Sequence, residues 1–321
     1  MALLFSLSAW AQPTGLPSFP EQIWLKGGTK KDTTNAMMFT AGYFFFSAGK
    51  AFQGSGKYHA ALPYHQYERS GGWLGMERPL YRKWSWKIVI PWFYSSVKRP
   101  GTGNKTMTYY QKGVSEIGLH LNYRYQSLRW KLYAGIQSGI PLQEGRLSFT
   151  HPSAPIGNDG YWNTGIEGGI HWRVNEDFDG FLNASFLYRI ARSGALFEGD
   201  TAMILTDGKY ASVQATLEPG WQAFAGAGWV MHTPVADWIW GYEFFYEARD
   251  RASGILPFST PVIESAIQRA MQGPAHTHNF LAGISHPTGP WNFGLVFRAA
   301  FRGESALSGK TLIFIIRFTL P

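Results

Sequence analysis

The sequence predicts an all-β protein, a closed antiparallel transmembrane β-barrel with about twelve strands, or about fourteen as the alternative. Aromatic residues make up 17% of the 321 residues and glycine occurs 37 times, as in aromatic-rich all-β proteins. No stretch approaches the roughly 18 apolar residues that a membrane-spanning helix needs. Segments of about ten residues instead alternate between apolar and polar side chains, which is typical of strands in an outer-membrane barrel of a Gram-negative-type bacterium. A soluble β-sandwich is the other all-β fold considered.

The clearest strand covers residues 114–126. One face carries Ile117, Leu119, Leu121, Tyr123 and Tyr125, and the other carries Glu116, His120, Asn122 and Arg124. A register slip of one residue would place the charged side chains in lipid, so the apolar face is expected to face outward and the polar face inward.

Eleven further segments complete the predicted barrel. Five alternate clearly, with Trp and Tyr near their ends as in the aromatic girdles of membrane barrels: 129–140, 160–174, 181–191, 237–249 and 291–302. Six alternate less clearly: 37–47, 70–81, 84–96, 210–231, 277–286 and 309–320.

Connection lengths test this count. Short and long connections alternate along the chain, as periplasmic turns and extracellular loops do. The long ones are 48–69, 97–113, 142–159, 192–209 and 250–276. The alternation requires 210–231 to be one strand, so Pro219 is expected beyond the membrane or at a bulge. In loop 250–276 a short helix is predicted, capped by Thr260 and ended by Gly273.

The N-terminal residues predict export. Residues 1–11 end in Ala9-Trp10-Ala11, which has the form of a signal-peptidase site, although the basic start of such a signal is missing. We therefore expect mature protein from Gln12, a periplasmic segment or lumen plug over 12–36, and the barrel over 37–321. The chain has no cysteine, which suits a route through an oxidising periplasm.

Charged residues on the inward faces are the candidate functional residues. The predicted lumen-lining side chains are Glu116, His120, Arg124, Lys131, Glu167, His171, Arg173, Arg189, Glu243, Glu247 and Arg298. Arg302 is also predicted to face inward. They predict either a polar conduit with a solute site or a salt-bridged filling without throughput, because about twelve strands lie between a filled and an open barrel. Between Val114 and Arg189 the bases outnumber the acids, which favours mild anion preference.

No catalytic site, metal site or cofactor is predicted. His276 and His278 share a strand face, but no third ligand is spaced to join them. Ser285-His286 is the nearest approach to a nucleophile and base. Ser308–Thr311 lacks the spacing of a phosphate loop. The net charge of +8 is spread along the chain without a nucleic-acid recognition motif, so the expected partners are outer-membrane lipids, lipopolysaccharide and a small-molecule solute.

Four short motifs resemble the outer-membrane transporters of the phenol-degradation meta-pathway family, distant relatives of long-chain fatty-acid transporters. They are Ile90-Pro91, Gly113–Leu119, Gly135–Pro141 and Pro155–Gly160, with Glu116 where the family usually has Asp. The likeness covers roughly a third of the chain, the segment between Ile88 and Ile190. The resemblance implies a transporter barrel and supplies no catalytic site.

Together these features predict a barrel that passes small solutes, hydrophobic or aromatic ones included, by passive diffusion. A structural or interaction barrel, as a subunit of a larger envelope complex, is the first alternative. A lipid-modifying outer-membrane enzyme is the second.

Overall fold

The computed structural model describes residues 36–53, 58–61, 66–81, 83–100, 106–114, 116–142, 162–195, 214–249, 251–256, 274–304 and 307–320. The predicted export signal, the N-terminal segment up to residue 35 and the helix predicted from Thr260 to Gly273 lie outside these residues. Within the described ranges, no helix has the length and apolar character needed to cross a membrane.

The described residues form seventeen strands. Their bounds are β1 Met37–Gln53, β2 Tyr58–Ala61, β3 Gln66–Pro79, β4 Trp84–Pro100, β5 Thr106–Val114, β6 Glu116–Gln126, β7 Trp130–Pro141, β8 Asn163–Arg173, β9 Phe178–Arg189, β10 Arg192–Ala195, β11 Gln214–Glu218, β12 Gln222–His232, β13 Asp237–Glu247, β14 Arg251–Leu256, β15 Ala275–Thr288, β16 Trp291–Glu304 and β17 Leu307–Leu320.

Twelve of these strands form one closed antiparallel barrel. Its order is β1, β3, β4, β6, β7, β8, β9, β12, β13, β15, β16 and β17. Pairing of β1 with β17, from Met37 opposite Leu320 to Ala51 opposite Leu307, closes the ring. The predicted closed barrel of twelve strands is therefore confirmed.

Short turns join the barrel strands at one end, where both β1 begins and β17 ends. Local chemistry fits two of these turns: Gly289 has φ of 58°, and the Asn175 side chain accepts hydrogen bonds from the backbone N–H groups of Asp177 and Phe178. Short turns mark the periplasmic end of a bacterial barrel, so the opposite end is extracellular.

Four predicted loops are partly strand at the extracellular end: 48–69, 97–113, 192–209 and 250–276. β4 extends to Pro100 and pairs with β5, so much of the predicted loop 97–113 is a hairpin. β10, β11 and β14 form a separate three-stranded sheet. The predicted single strand 210–231 is wrong, because residues 219–221 interrupt it between β11 and β12. Pro219 therefore lies where the barrel wall gives way to the second sheet, and the barrel count stays at twelve.

The outer surface of the barrel is apolar, with aromatic side chains near both ends. At the periplasmic end, the Trp130 and Trp172 rings lie 6.4 Å apart, and Trp172 lies 6.0 Å from Trp229. At the extracellular end, Trp221 lies 4.8 Å from Tyr246. Such girdles lie at the two membrane interfaces, so the chain is an integral barrel of the bacterial outer membrane.

A β-bulge corrects one predicted orientation. Asn279 pairs with Ala300 and His278 with Arg302, so Phe301 is the extra residue in β16. Residues directly opposite each other share a face of the sheet. Because Thr277 and Asn279 are buried inside while His278 lies on the other face, Arg302 faces outward and not into the lumen as the alternation predicted.

Candidate functional site: the barrel interior

The interior has two chemically different walls. Strands β6, β7 and β8 direct mainly polar side chains inward, among them the buried Asn122, Asn163, Glu167 and His171. Six positions away around the twelve-strand ring, β15, β16 and β17 contribute the buried Leu281, Val296, Ile313 and Ile315. These four residues form an apolar wall, and on either side of it the same strands direct polar side chains inward, among them Asn279, Ser285, Asn292 and Arg317. The polar wall therefore faces this apolar wall across the lumen.

The apolar wall continues into a belt of buried hydrophobic side chains. Besides those four residues, the cluster contains Trp73, Val89, Phe181, Val230 and Ile239, with Phe44 and Phe224 packed against it. Trp73 and Phe181 are 0% exposed. A water-filled porin has a polar interior, so this belt distinguishes the lumen from a wide hydrophilic pore.

Glycines on neighbouring strands make room for the largest inward side chains. A Cβ on Gly42 would overlap the Trp73 indole, and one on Gly228 would overlap the Phe181 ring. Glycine is required at these two positions because a large ring approaches the neighbouring backbone closely. In the belt, large side chains therefore pack against glycines of neighbouring strands.

Ion pairs cross the polar wall in the periplasmic half. Arg124 Nη2 lies 2.6 Å from Glu77 Oε1, which also accepts a 2.6 Å hydrogen bond from the Ser85 hydroxyl. His120 Nδ1 lies 3.0 Å from Glu167 Oε1. Opposite charges thus compensate each other on this wall.

A partly open cavity of about 30 Å³, which is room for about two water molecules, lies among these pairs. Its charged and polar lining consists of Glu77, Lys87, Asn122, Arg124, Tyr133, Glu167 and Arg317, and Met38 and Thr40 also border it. The buried Asn122 Oδ1 has no hydrogen-bond partner among the described residues. The cavity therefore offers a hydrogen-bond acceptor and cationic groups to small polar species such as water.

A second charged group lies in the extracellular part of the interior. Arg189 Nη2 lies 2.6 Å from Glu247 Oε1, and Arg189 Nε donates to the Gly220 carbonyl at 2.8 Å. Gln222 Nε2 donates to the same Glu247 oxygen at 3.0 Å. This network fixes the bend after Pro219 to the barrel wall.

The pair of Arg298 and Glu243 is the other buried charge group of this half. Arg298 Nη2 donates to Glu243 Oε1 at 2.8 Å, and its Nε contacts the second carboxylate oxygen. The guanidinium therefore lies beside both oxygens of a carboxylate that is almost fully buried.

At the periplasmic mouth, Asp179 joins two bases. His232 Nε2 lies 3.3 Å from Asp179 Oδ2, and Arg173 Nε lies 3.9 Å from Asp179 Oδ1. His232 Nδ1 also lies 2.6 Å from Asp237 Oδ1. The mouth therefore carries two carboxylates around one imidazole.

The remaining predicted lumen residues lie as follows. Lys131 is half-buried on β7 opposite His171, whose buried ring lies 5.9 Å from Phe181. Glu116 begins β6, and its side chain lies outside the described set.

Ion pairs compensate part of the predicted excess of inward bases, whereas Lys87 and Arg317 are inward bases that the count also omitted. Arg124, Arg173 and Arg189 each lie beside an acid that the count omitted: Glu77, Asp179 and Glu247 respectively. Glu77 and Asp179 were missed because their strands alternate less clearly or begin before the predicted boundary. Glu77 lies on the same strand face as the buried Trp73, and Asp179 on the same face as the buried Phe181. This alternation is the sequence signal that could have found them.

The Ser285-His286 fragment does not form a nucleophile and base. The buried Ser285 hydroxyl donates to Asn292 Oδ1 at 2.9 Å, inside the barrel. His286 is exposed, and its Nδ1 lies 2.6 Å from the Val235 carbonyl oxygen. Adjacent residues of a strand point to opposite faces, so the two side chains cannot meet.

The fold is similar to that of solved outer-membrane barrels. A crystal structure of an outer membrane channel from Pseudomonas putida F1 has 12% identity and a TM-score of 0.64, covering 89% of this chain and 96% of that chain. The NanC porin has 9% identity, covers 89% and 100%, and has a TM-score of 0.42. The CymD monoaromatic hydrocarbon channel has 9% identity, covers 89% and 88%, and has a TM-score of 0.37. No family model and no curated protein matches the chain.

Proposed function

We propose that this barrel passes small, partly hydrophobic solutes across the outer membrane by passive diffusion. The observation that carries the proposal is the interior with a polar wall opposite an apolar wall. A solute with an aromatic or aliphatic body and one polar group can contact both walls at once. A sugar or a hydrated ion cannot use the apolar wall in this way.

The apolar belt supports selection against ions and water. A narrow hydrophobic constriction sheds water, and ions then meet a barrier because they cannot keep their hydration shell. An apolar solute loses little on entering the same constriction, since it leaves water for an apolar surface. The belt around Trp73 and Phe181 supplies the apolar lining that this reasoning requires.

Two likenesses agree with the proposal. The structure from Pseudomonas putida F1 is described as an outer membrane channel. The motifs Gly113–Leu119 and Gly135–Pro141 resemble the meta-pathway transporter family. The finer assignment to that family and to aromatic solutes is part of the proposal.

Reconstituted liposomes test the proposal. We expect faster entry of a small aromatic alcohol than of a sugar of equal size, together with low ionic conductance in a planar bilayer. Replacing Trp73 with Ala should raise ionic conductance several-fold and reduce the preference for the aromatic solute. Trp92→Ala is the matched control, because Trp92 lies at a similar level on the neighbouring strand but faces outward. High conductance of the unaltered barrel, with sugars entering as fast as aromatics, would contradict the proposal.

The structural barrel remains the second candidate, and a specific observation favours it. The largest interior side chains are fully buried, and the interior acids Glu77, Glu167, Glu243 and Glu247 lie beside bases. If neither the unaltered barrel nor Trp73→Ala passes any solute, the sealed barrel is the correct description.

A further inference from the structure

We infer that the outward face of β13, β15 and β16 carries a binding site for the phosphate of lipid A, the glycolipid part of lipopolysaccharide. The site is centred on Arg302. It is independent of what passes through the lumen, because the bulge at Phe301 turns Arg302 to the outer surface.

The bulge is the first observation. Regular alternation would direct Arg302 into the interior, where Arg298 already pairs with Glu243. Bulges re-aim side chains, and here the result is a guanidinium on the membrane side of the wall. A charge on the lipid face is costly at mid-membrane and tolerated only near an interface, so its level in the membrane decides its role.

The level of Arg302 is that of the extracellular interface. Arg302 pairs with His278 of β15. Two residues closer to the extracellular end of β15, His276 pairs with Tyr246. Tyr246 packs against Trp221 in the extracellular girdle. Phosphates of lipid A lie at the corresponding depth of the outer leaflet, directly outside this girdle.

The surroundings of Arg302 suit a phosphorylated glycolipid. The Tyr242 hydroxyl lies 2.5 Å from His278 Nδ1, and both groups are close enough to Arg302 to interact with it electrostatically. The rings of Phe301 and Phe244 lie 6.2 Å and 5.1 Å from the His278 ring. Arginine binds phosphate in bidentate fashion, and the aromatic rings can pack against the acyl chains.

The neighbouring charges leave Arg302 available. Glu304 lies nearest to His276, with 3.9 Å between its Oε2 and His276 Nδ1. Within the residues that the structure describes, Arg302 has no ion pair. Lys310 is exposed on β17 and also faces outward. From the rise per residue and the spacing between strands, it lies about 10 Å from Arg302 across the sheet. It adds a second cation to the same face.

Binding of fluorescent lipid A to the folded full chain in detergent micelles tests the inference. We expect Arg302→Gln to raise the dissociation constant at least about tenfold, because a charged, bidentate contact is lost. The dissociation constant of Arg302→Lys should lie between those of the unaltered chain and Arg302→Gln. Arg129→Gln is the control, since Arg129 is exposed in a periplasmic turn; its dissociation constant should equal that of the unaltered chain. Heat-modifiable gel mobility reports that each variant is folded.

A second arm separates phosphate recognition from general lipid contact. Lipid A stripped of its phosphates should bind the unaltered chain as weakly as intact lipid A binds Arg302→Gln. The inference is overturned if Arg302→Gln binds intact lipid A as tightly as the unaltered chain does, or if removing the phosphates leaves the dissociation constant unchanged.

Discussion

Arg189 and Glu247 form an ion pair across β12, with 2.6 Å between Nη2 and Oε1. Arg189 belongs to β9 and Glu247 to β13, and both strands pair with β12. Their exposed fractions are 4% and 0%, and Gln222 of β12 donates to the same carboxylate. The pair therefore ties three successive strands together beneath the bend at Pro219.

Removing one partner of this pair should destabilise the barrel. Arg189→Met leaves Glu247 charged, buried and without its cation, and we expect a loss of about 3–5 kcal/mol in the free energy of unfolding. The double variant Arg189→Met/Glu247→Met should recover most of that loss, because no uncompensated charge remains. Urea unfolding in lipid vesicles measures both. An equal loss in the single and double variants would show that the charge pair is not the cause.

The contact of Trp73 with Gly42 predicts a contrast between two inward glycines. Gly42→Ala should cost about 1–3 kcal/mol, because its methyl group would overlap the indole and force the ring to move. Gly75→Ala should be neutral or slightly stabilising, since its methyl group would meet neighbours at an ordinary 3.7 Å. The folded fraction on heat-modifiable gels compares them. Similar behaviour of the two variants would mean that the belt is looser than described.

Adjacent residues of β7 test the orientation of the wall. Ile136 is 58% exposed near mid-strand, whereas Gln137 faces inward opposite His120 and Gly165. Ile136→Arg places a charge in mid-membrane and should cost roughly 2–4 kcal/mol, while Gln137→Arg stays in a polar environment. Folding yield into vesicles should drop only for the first variant. A drop of the same size for both would contradict the assigned faces.

Ion selectivity should depend on the partner of Arg124. In the Trp73→Ala background, which we expect to conduct, the compensated charges predict weak selectivity. Adding Glu77→Gln removes the carboxylate beside Arg124 and should shift the reversal potential toward anion preference. Glu304→Gln is the control, because Glu304 lies at the extracellular rim and is largely exposed. An unchanged reversal potential after Glu77→Gln would show that Arg124 does not face the conducting path.

Except at Arg302, beyond the bulge in β16, the strands that alternate clearly in sequence are found with the predicted faces, because lipid selects one face so strongly. The six less clear segments are mostly those that direct large apolar residues inward, such as Phe44, Trp73 and Leu281. When both faces of a strand are apolar, a period of two fades from the sequence. The weak pattern in those strands was therefore a sign of the interior belt.

Other features depend on relations between strands and could not be read from single strands. Glu77 and Asp179 are identified as the partners of Arg124 and Arg173 only from the pairing of neighbouring strands. The bulge at Phe301 also leaves the residue pattern of β16 unchanged while reversing the orientation of Arg302. The break at Pro219 was anticipated as a position beyond the membrane or a bulge, but the second sheet that begins there was not.

The packing of large side chains against glycine also bears on how the barrel is assembled. Phe46 of β1 lies against Gly309 of β17, and Phe44 stands opposite Ile313, so these contacts cross the junction between the first and last strands. They can form only after the C-terminal strand has met the N-terminal one. Closure of the ring and completion of the packing at this junction therefore occur together, and an intermediate lacking β17 would expose Phe44 and Phe46 along an open edge.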